Sequence, residues 1–183
     1  MPDSAATHGA ERGDAPRVEA FEALFRRELG YVLASLRRLG VRQGDVEDLA
    51  HDVFVVAFRR LEDLDPTRPP RPWLFGIALR VAADYRRLAR HRYERSDDEQ
   101  AGRAPAPDAP AGDQVERQRV VQRGLDALDL DKRAVLILHD VEGHGMPEIA
   151  AALGIPLNTA YSRLRLARER FRRAVTDPRG GEP

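Results

Sequence analysis

The stretch MPEIAAALGIPLNTAYSRLRLARERFRR, residues 146–173, decides the fold of the C-terminal part of the chain. Pro147 suits the first turn of a helix, where its missing N–H costs nothing. Ile149, Ala152 and Leu153 give that helix an apolar face, and Gly154 can take the left-handed conformation that ends it. After a short turn at 155–156, Leu157, Ala160, Leu164, Ala167, Phe171 and Ala174 recur at alternating spacings of three and four, a continuous stripe along a second helix. Ala150 is small enough to let the two helices cross closely. The pattern predicts a helix-turn-helix, whose second helix enters the DNA major groove by its N-terminal residues. Those are Asn158, Thr159, Ser162 and Arg163, with Arg165 and Arg168 nearer the phosphates. On these residues alone, an αα-hairpin with a solvated basic face stays open.

Charge around this helix pair is uneven. The chain has 183 residues, 30 basic and 30 acidic, and a formal net charge of zero, which as an average argues against a polyanionic partner. Counted by segment, residues 156–176 carry +5 and residues 67–95 carry +6, whereas 96–116 carry −5 and 1–20 and 21–66 carry −2 each. Two basic blocks are therefore separated by an acidic one. Segment 96–114, rich in Pro, Ala, Gly and acid without apolar periodicity, buries too little to offset its ordering entropy and reads as a linker. Elsewhere apolar residues recur at three and four with no alternating run. The fold class expected is all-α: two small helical domains, 18–95 and 115–175, joined by a flexible acidic linker, with disordered ends at 1–17 and 176–183. Helices are expected at 18–39, 45–62, 71–93, 115–128, 130–142, 146–153 and 157–174.

Two further motifs stand in the first module. In DVEDLAHDVFVVAFRRLEDL, residues 45–64, Val46, Leu49, Ala50, Val53 and Ala57 form one apolar face, yet Phe54, Val55 and Phe58 lie beside or beyond it. A helix apolar over so much of its circumference is central to a bundle or covered by a partner. In RPPRPWLFGIALRVAADYRRLARHRYER, residues 68–95, Trp73, Ile77, Val81 and Leu88 supply a core stripe. Arg80, Arg86, Arg87, Arg90 and Arg92 share the remaining surface with Tyr85 and Tyr93. Arginine supplies phosphate contacts and aromatic rings stack on unpaired bases; a solvated helix face is the plainer reading.

Several function classes lack support. With no cysteine there is no disulfide framework, thiolate metal site or thiol nucleophile. No run approaches the roughly 18 to 20 apolar residues of a membrane span, and the polar start lacks a signal-peptide core, so a cytoplasmic protein is expected. Phosphate-cradling and nucleophile-elbow motifs are missing from the sequence. The dipeptides His51-Asp52 and His139-Asp140 raise a metal-dependent phosphohydrolase of HD type, but no further His/Asp cluster stands at ligand spacing. The expectation is a protein that is not an enzyme, with no cofactor, no metal and no small-molecule substrate.

All three motifs, in this order about an acidic linker, resemble the extracytoplasmic-function (ECF) sigma factors of the sigma-70 superfamily. DVEDLAHDVFVVAFRR looks like that family's stretch D-x-E-D-L-x-Q-E-V-F-x-x-A-[WF]-R, PWLFGIALRVAADYRR like its W-L-x-x-I-A-x-N-x-x-x-D-x-x-R-R, and GMPEIAAALGIPLNTAYSRLRLAR like its E-I-A-x-x-L-G-I-P-x-G-T-V-K-S-R-L-x-R-A-R. The resemblance implies a sigma-2 domain that docks on core RNA polymerase, at the β′ clamp helices, through Asp48, Asp52, Phe54, Val55 and Phe58. That domain would engage the −10 element through Arg71, Trp73, Arg80, Tyr85, Arg86 and Arg87, the loop 65–71 trapping a flipped base. It further implies a sigma-4 domain that reads the −35 element, the β flap as a second polymerase contact, promoter DNA as ligand and an anti-sigma factor as partner. Leu79-Arg80 stands where the family commonly has Arg-Asn, Asn158 replaces a glycine, and Tyr161 replaces a basic residue. A free-standing helix-turn-helix regulator is the alternative, with the phosphohydrolase a remote third.

Overall fold

The computed structural model describes residues 11–95 and 113–176. The first module is a bundle of three helices, α1 (Glu11–Arg38), α2 (Val46–Arg59) and α3 (Pro70–Arg95). Arg37 and Arg38 place positive charge in the last turn of α1, where the helix dipole favours it. Gly40, at φ 87°, then reverses the chain, with Val41 N–H donating to Leu36 C=O at 3.1 Å. Val46, Ala50, Val53, Phe54 and Ala57 of α2 are buried against Leu24, Val32 and Leu36 of α1 and Leu74, Phe75 and Ala78 of α3. α1 begins inside the segment expected to be disordered.

The second module holds α4 (Asp113–Asp126), α5 (Leu130–Leu136), α6 (Met146–Leu153) and α7 (Leu157–Thr176). Asp129 caps α5, accepting from Lys132 N–H at 3.0 Å. α5 runs into a π turn, Ile137–Val141, where a single helix is expected through 142. There Glu142 N–H reaches back to Ile137 C=O at 3.0 Å, a widened turn of the kind that often marks a functional site. Gly154 ends α6 at φ 66°, and Ile155 N–H closes it onto Ala150 C=O at 3.0 Å. Ala160, Leu164 and Ala167 turn inward from α7, and Gly124 of α4 leaves room for the Phe171 ring. Leu157, first in the expected stripe, is 41% exposed at the start of the helix.

Leu88 corrects the stripe expected along α3: it is 58% exposed, and the buried face is Leu74, Phe75, Ile77, Ala78 and Ala82. Tyr85 bonds to Asp45, just before α2 begins, which ties this turn of α3 to the start of α2. The expected linker lies outside the described residues through 112, and 113–114 already belong to α4. The tail beyond Thr176 lies outside them as well.

Candidate nucleic-acid and polymerase interfaces

α7 presents a row of exposed side chains, Asn158, Tyr161, Ser162 and Arg165, at the i, i+3, i+4, i+7 spacing of one helix face. They lie on the opposite side from Ala160, Leu164 and Ala167. Tyr161, which the sequence presents as a lost basic contact, is 53% exposed in the middle of this row. Ser162 Oγ donates to Thr159 C=O at 2.9 Å, leaving its lone pairs outward, and Thr159 is half-buried. Arg163 and Arg168, expected to reach DNA, are instead engaged within the module. Arg163 pairs with Asp131 of α5 at 2.7 Å. Arg168 grips Asp140 in the π turn through two bonds, at 2.9 and 2.5 Å, and these hold the Asp140 carboxyl below the usual carboxylate range. Arg165 carries no ion pair among the described residues.

The expected −10 residues divide in the same way. Arg71 bonds at 2.9 Å to Glu28, which is 3% exposed, and lies 5.1 Å from the Tyr31 ring centroid. Burial disfavours the charged form of Glu28, but hydrogen bonds from Arg71 and Arg27 outweigh it and leave the carboxyl below its ordinary pKa. Arg71 therefore anchors the start of α3. The Tyr85 hydroxyl donates to Asp45 at 2.6 Å, with its pKa raised by burial first and then by that carboxylate, so its ring is tied to the turn before α2. Arg87 pairs with Asp84 at 3.2 Å, while Arg80 is exposed with no ion pair among the described residues. Arg133 of α5 lies below the ordinary guanidinium range chiefly through burial, with the nearby Arg86 adding to this against the opposing pull of Asp126. Trp73 is half-buried, its Nε1 unpartnered, in a pocket of about 250 Å³ that Asp65, Arg68, Arg80 and, from α6, Glu148 also line. Side chains from 90 to 95 lie outside the described residues.

On the other side of the first module, α1 and α2 frame an apolar groove of about 770 Å³ lined by Val18, Phe21, Phe25, Phe54, Val55 and Phe58. Their rings meet edge to face, Phe21 to Phe58 at 4.9 Å and Phe25 to Phe54 at 4.7 Å, an arrangement that rings prefer. Phe54, expected as a contact residue, is only 3% exposed and forms the floor, whereas Val55 and Phe58 are half-buried and Phe25 is 37% exposed. Asp48 and Asp52 stand exposed on α2 without an ion pair among the described residues. The α1 half of the groove, Val18, Phe21 and Phe25, was visible in the sequence as an i, i+3, i+7 stripe.

Between the modules lies a polar cluster whose partners are too distant in sequence for local patterning to find. The Tyr31 hydroxyl donates to Glu142 at 2.8 Å, and Arg38 and His144 lie 3.9 and 3.5 Å from the same carboxylate. Burial pushes the Glu142 carboxyl and the Tyr31 phenol up, so the phenol keeps its proton to donate. Among the described residues no cluster of three or more His, Asp or Glu is placed to hold a metal ion, and no helix is long and apolar enough to cross a membrane.

A helix-turn-helix whose second helix bears an exposed polar face, carried beside a second helical module with an apolar groove, is the build of a two-part DNA-binding protein. Two family models match the chain, Sigma-70 region 2 over residues 24–92 and Sigma-70, region 4 over residues 118–171. The RNA polymerase sigma factor NccH of Alcaligenes xylosoxydans xylosoxydans is 32% identical over 175 residues, 92% of each chain. The ECF RNA polymerase sigma-E factor of Escherichia coli strain K12 is 28% identical over 180 residues, again 92% of each. The solved structure of CnrH in complex with the cytosolic domain of CnrY is similar with a TM-score of 0.60 and 31% identity, covering 93% of this chain and 96% of that one. The chain belongs to the sigma-70 family, in its ECF branch. It binds core RNA polymerase and directs promoter-specific initiation of transcription.

Proposed function

We propose a division of that work between named residues. Residues 18–95 form the module that docks on core polymerase through the α1–α2 groove, with Val55 and Phe58 as apolar anchors on the floor built by Phe54 and with Asp48 and Asp52 at its polar edge. The same module engages the −10 region through α3 and the loop 65–71. Residues 115–175 read the −35 duplex, and 96–114 link the two. The observation that carries the reading is the exposed row Asn158, Tyr161, Ser162 and Arg165 on α7, which combines hydrogen-bonding tips, an aromatic ring and a cation with no ion pair among the described residues on one face. Major-groove readers need this mixture, because base edges offer donors and acceptors and thymine offers a methyl group. Arg163 and Arg168 then act indirectly, fixing α7 on α5 and on the π turn. The chain contributes binding and no chemical step of its own, and works in the cytoplasm beside polymerase and DNA. As CnrH is held by the cytosolic domain of CnrY, an anti-sigma factor is the further partner expected.

Arg165→Ala tests the assignment. Loss of one base or phosphate contact of this kind costs about 1–3 kcal/mol, roughly 5- to 150-fold in affinity. The variant is expected to protect the −35 region of a cognate promoter at correspondingly higher concentration, with the thermal transition of the chain unchanged. A footprint of wild-type strength and sequence preference would remove Arg165 from the interface.

A further inference from the structure

The leading edge of α7 is neutral. From Gly154 through Ser162 the chain has neither an acidic nor a basic side chain. Arg163 is the first cation, and it is drawn aside to Asp131 of α5 at 2.7 Å. Arg165 follows one turn behind Tyr161 on the exposed row, with no ion pair among the described residues. Ahead of it stand Asn158 and Tyr161, both exposed, and neither side chain makes a hydrogen bond among the described residues. Leu157, 41% exposed and one turn before Tyr161 on the same face, makes this tip more apolar still.

Base edges in the major groove differ in which of these side chains they can hold. An asparagine amide matches adenine, donating to N7 and accepting from the N6 amino group. Guanine is met best by a cation that offers two donors to N7 and O6, and this end of the helix has none. A phenol has a single hydroxyl and cannot fork in that way, whereas its ring packs against the C5 methyl group of thymine. At about 1.5 Å of rise per residue Asn158 and Tyr161 lie ~4.5 Å apart along α7, against about 3.4 Å between base pairs, so the two side chains face neighbouring pairs. We infer that the −35 element of this chain holds two adjacent A·T pairs beneath the start of α7, one with its adenine held by Asn158 and the other with its thymine methyl against Tyr161 and Leu157. Arg165 supplies affinity from behind them. Tyr161 thereby sets specificity, in the place that the family's pattern gives to a basic residue.

The inference rests on α7 being the −35 reader, and its test separates the two. Holoenzyme assembled from core polymerase and the full chain selects from promoter duplexes randomised across both elements, and the bound fraction is sequenced. The wild type is expected to enrich A·T at two neighbouring −35 pairs. Asn158→Ala keeps the helix and removes the amide; the preference at one of those pairs is expected to fall about tenfold, the size of a lost bidentate contact, with the other pair unaffected. Tyr161→Arg, at a site 53% exposed, is expected to turn the second pair from A·T to G·C. Both variants are expected to keep the helical content and thermal transition of the wild type. A change at one pair alone overturns the assignment of the residue whose variant is silent. A wild-type element with G·C at both pairs, or two silent variants while Arg165→Ala still weakens −35 binding, would overturn the neutral reading tip and leave α7 as the reader. Should all three variants match the wild type in affinity and preference, the assignment of α7 to the −35 element falls with it.

Discussion

Phe58→Asp is expected to weaken binding of the chain to core RNA polymerase about 100-fold or more and to abolish promoter-specific run-off transcription at concentrations where the wild type is saturating. The Phe58 ring is half-buried at the wall of the α1–α2 groove, edge-on to Phe21 and 5.1 Å below the Arg17 guanidinium. Central aromatic anchors of protein interfaces commonly cost 2–4 kcal/mol or more on truncation, and about 2.7 kcal/mol is a hundredfold. A carboxylate there must also be desolvated against apolar walls, which raises the cost further. The same ring is not what holds the bundle together. That part falls to Phe54, 3% exposed between Phe21 and Phe25, whose truncation to alanine should cost about 3–5 kcal/mol of stability. The two variants separate docking from folding: Phe54→Ala lowers the melting temperature, and Phe58→Asp leaves it within a few degrees while polymerase capture fails. A folded Phe58→Asp protein with wild-type affinity would show that the groove is not the docking surface.

The contrast between Phe54 and Phe58 also shows where the sequence stops being informative. Periodicity places both near the edge of one apolar face of α2, and what buries one and half-exposes the other is the pair of rings arriving from α1. The helix-turn-helix was legible to the residue because its signals are local: Pro147 opens α6, Gly154 at positive φ closes it, and the turn at 155–156 follows directly. The arginines were legible only as a cluster. Which of them face solvent depends on carboxylates delivered by other elements, Asp131 from α5 to Arg163, Asp140 from the π turn to Arg168 and Glu28 from α1 to Arg71. Counting charge by segment found the basic blocks without telling a cation committed to a carboxylate of another element from one available to a phosphate. The Tyr31–Glu142 contact was beyond reach for the same reason, since it forms only when the modules are placed together.

That distinction sets the salt dependence of −35 binding. A count of the arginines of α7 alone would assign six phosphate contacts and a loss of affinity of about 10³ between 50 and 200 mM salt. Two of the six act as buttresses. Arg168 holds Asp140 through two hydrogen bonds, and Arg163 is only 27% exposed against Asp131. Breaking either would loosen the recognition helix from the elements that aim it. Arg173 pairs with Glu169 at the surface, Arg170 is 3.4 Å from Asp129, and Arg165 and Arg172 carry no ion pair among the described residues. Exposed pairs contribute at most about 1 kcal/mol, so Arg170 and Arg173 can exchange carboxylate for phosphate at little cost. Four contacts give a slope of about −3.6 in log affinity against log salt and a loss of about 10²-fold over that range. Asp140→Asn, which weakens the hold on Arg168, is expected to steepen the slope by about one while making the thermal transition of the second module less stable. Titration of a labelled −35 duplex with the full chain at four salt concentrations reads the slope directly. A value near −5.4 would mean that both buttresses let go on DNA, and a flat profile would mean that α7 does not lie against the phosphate backbone at all.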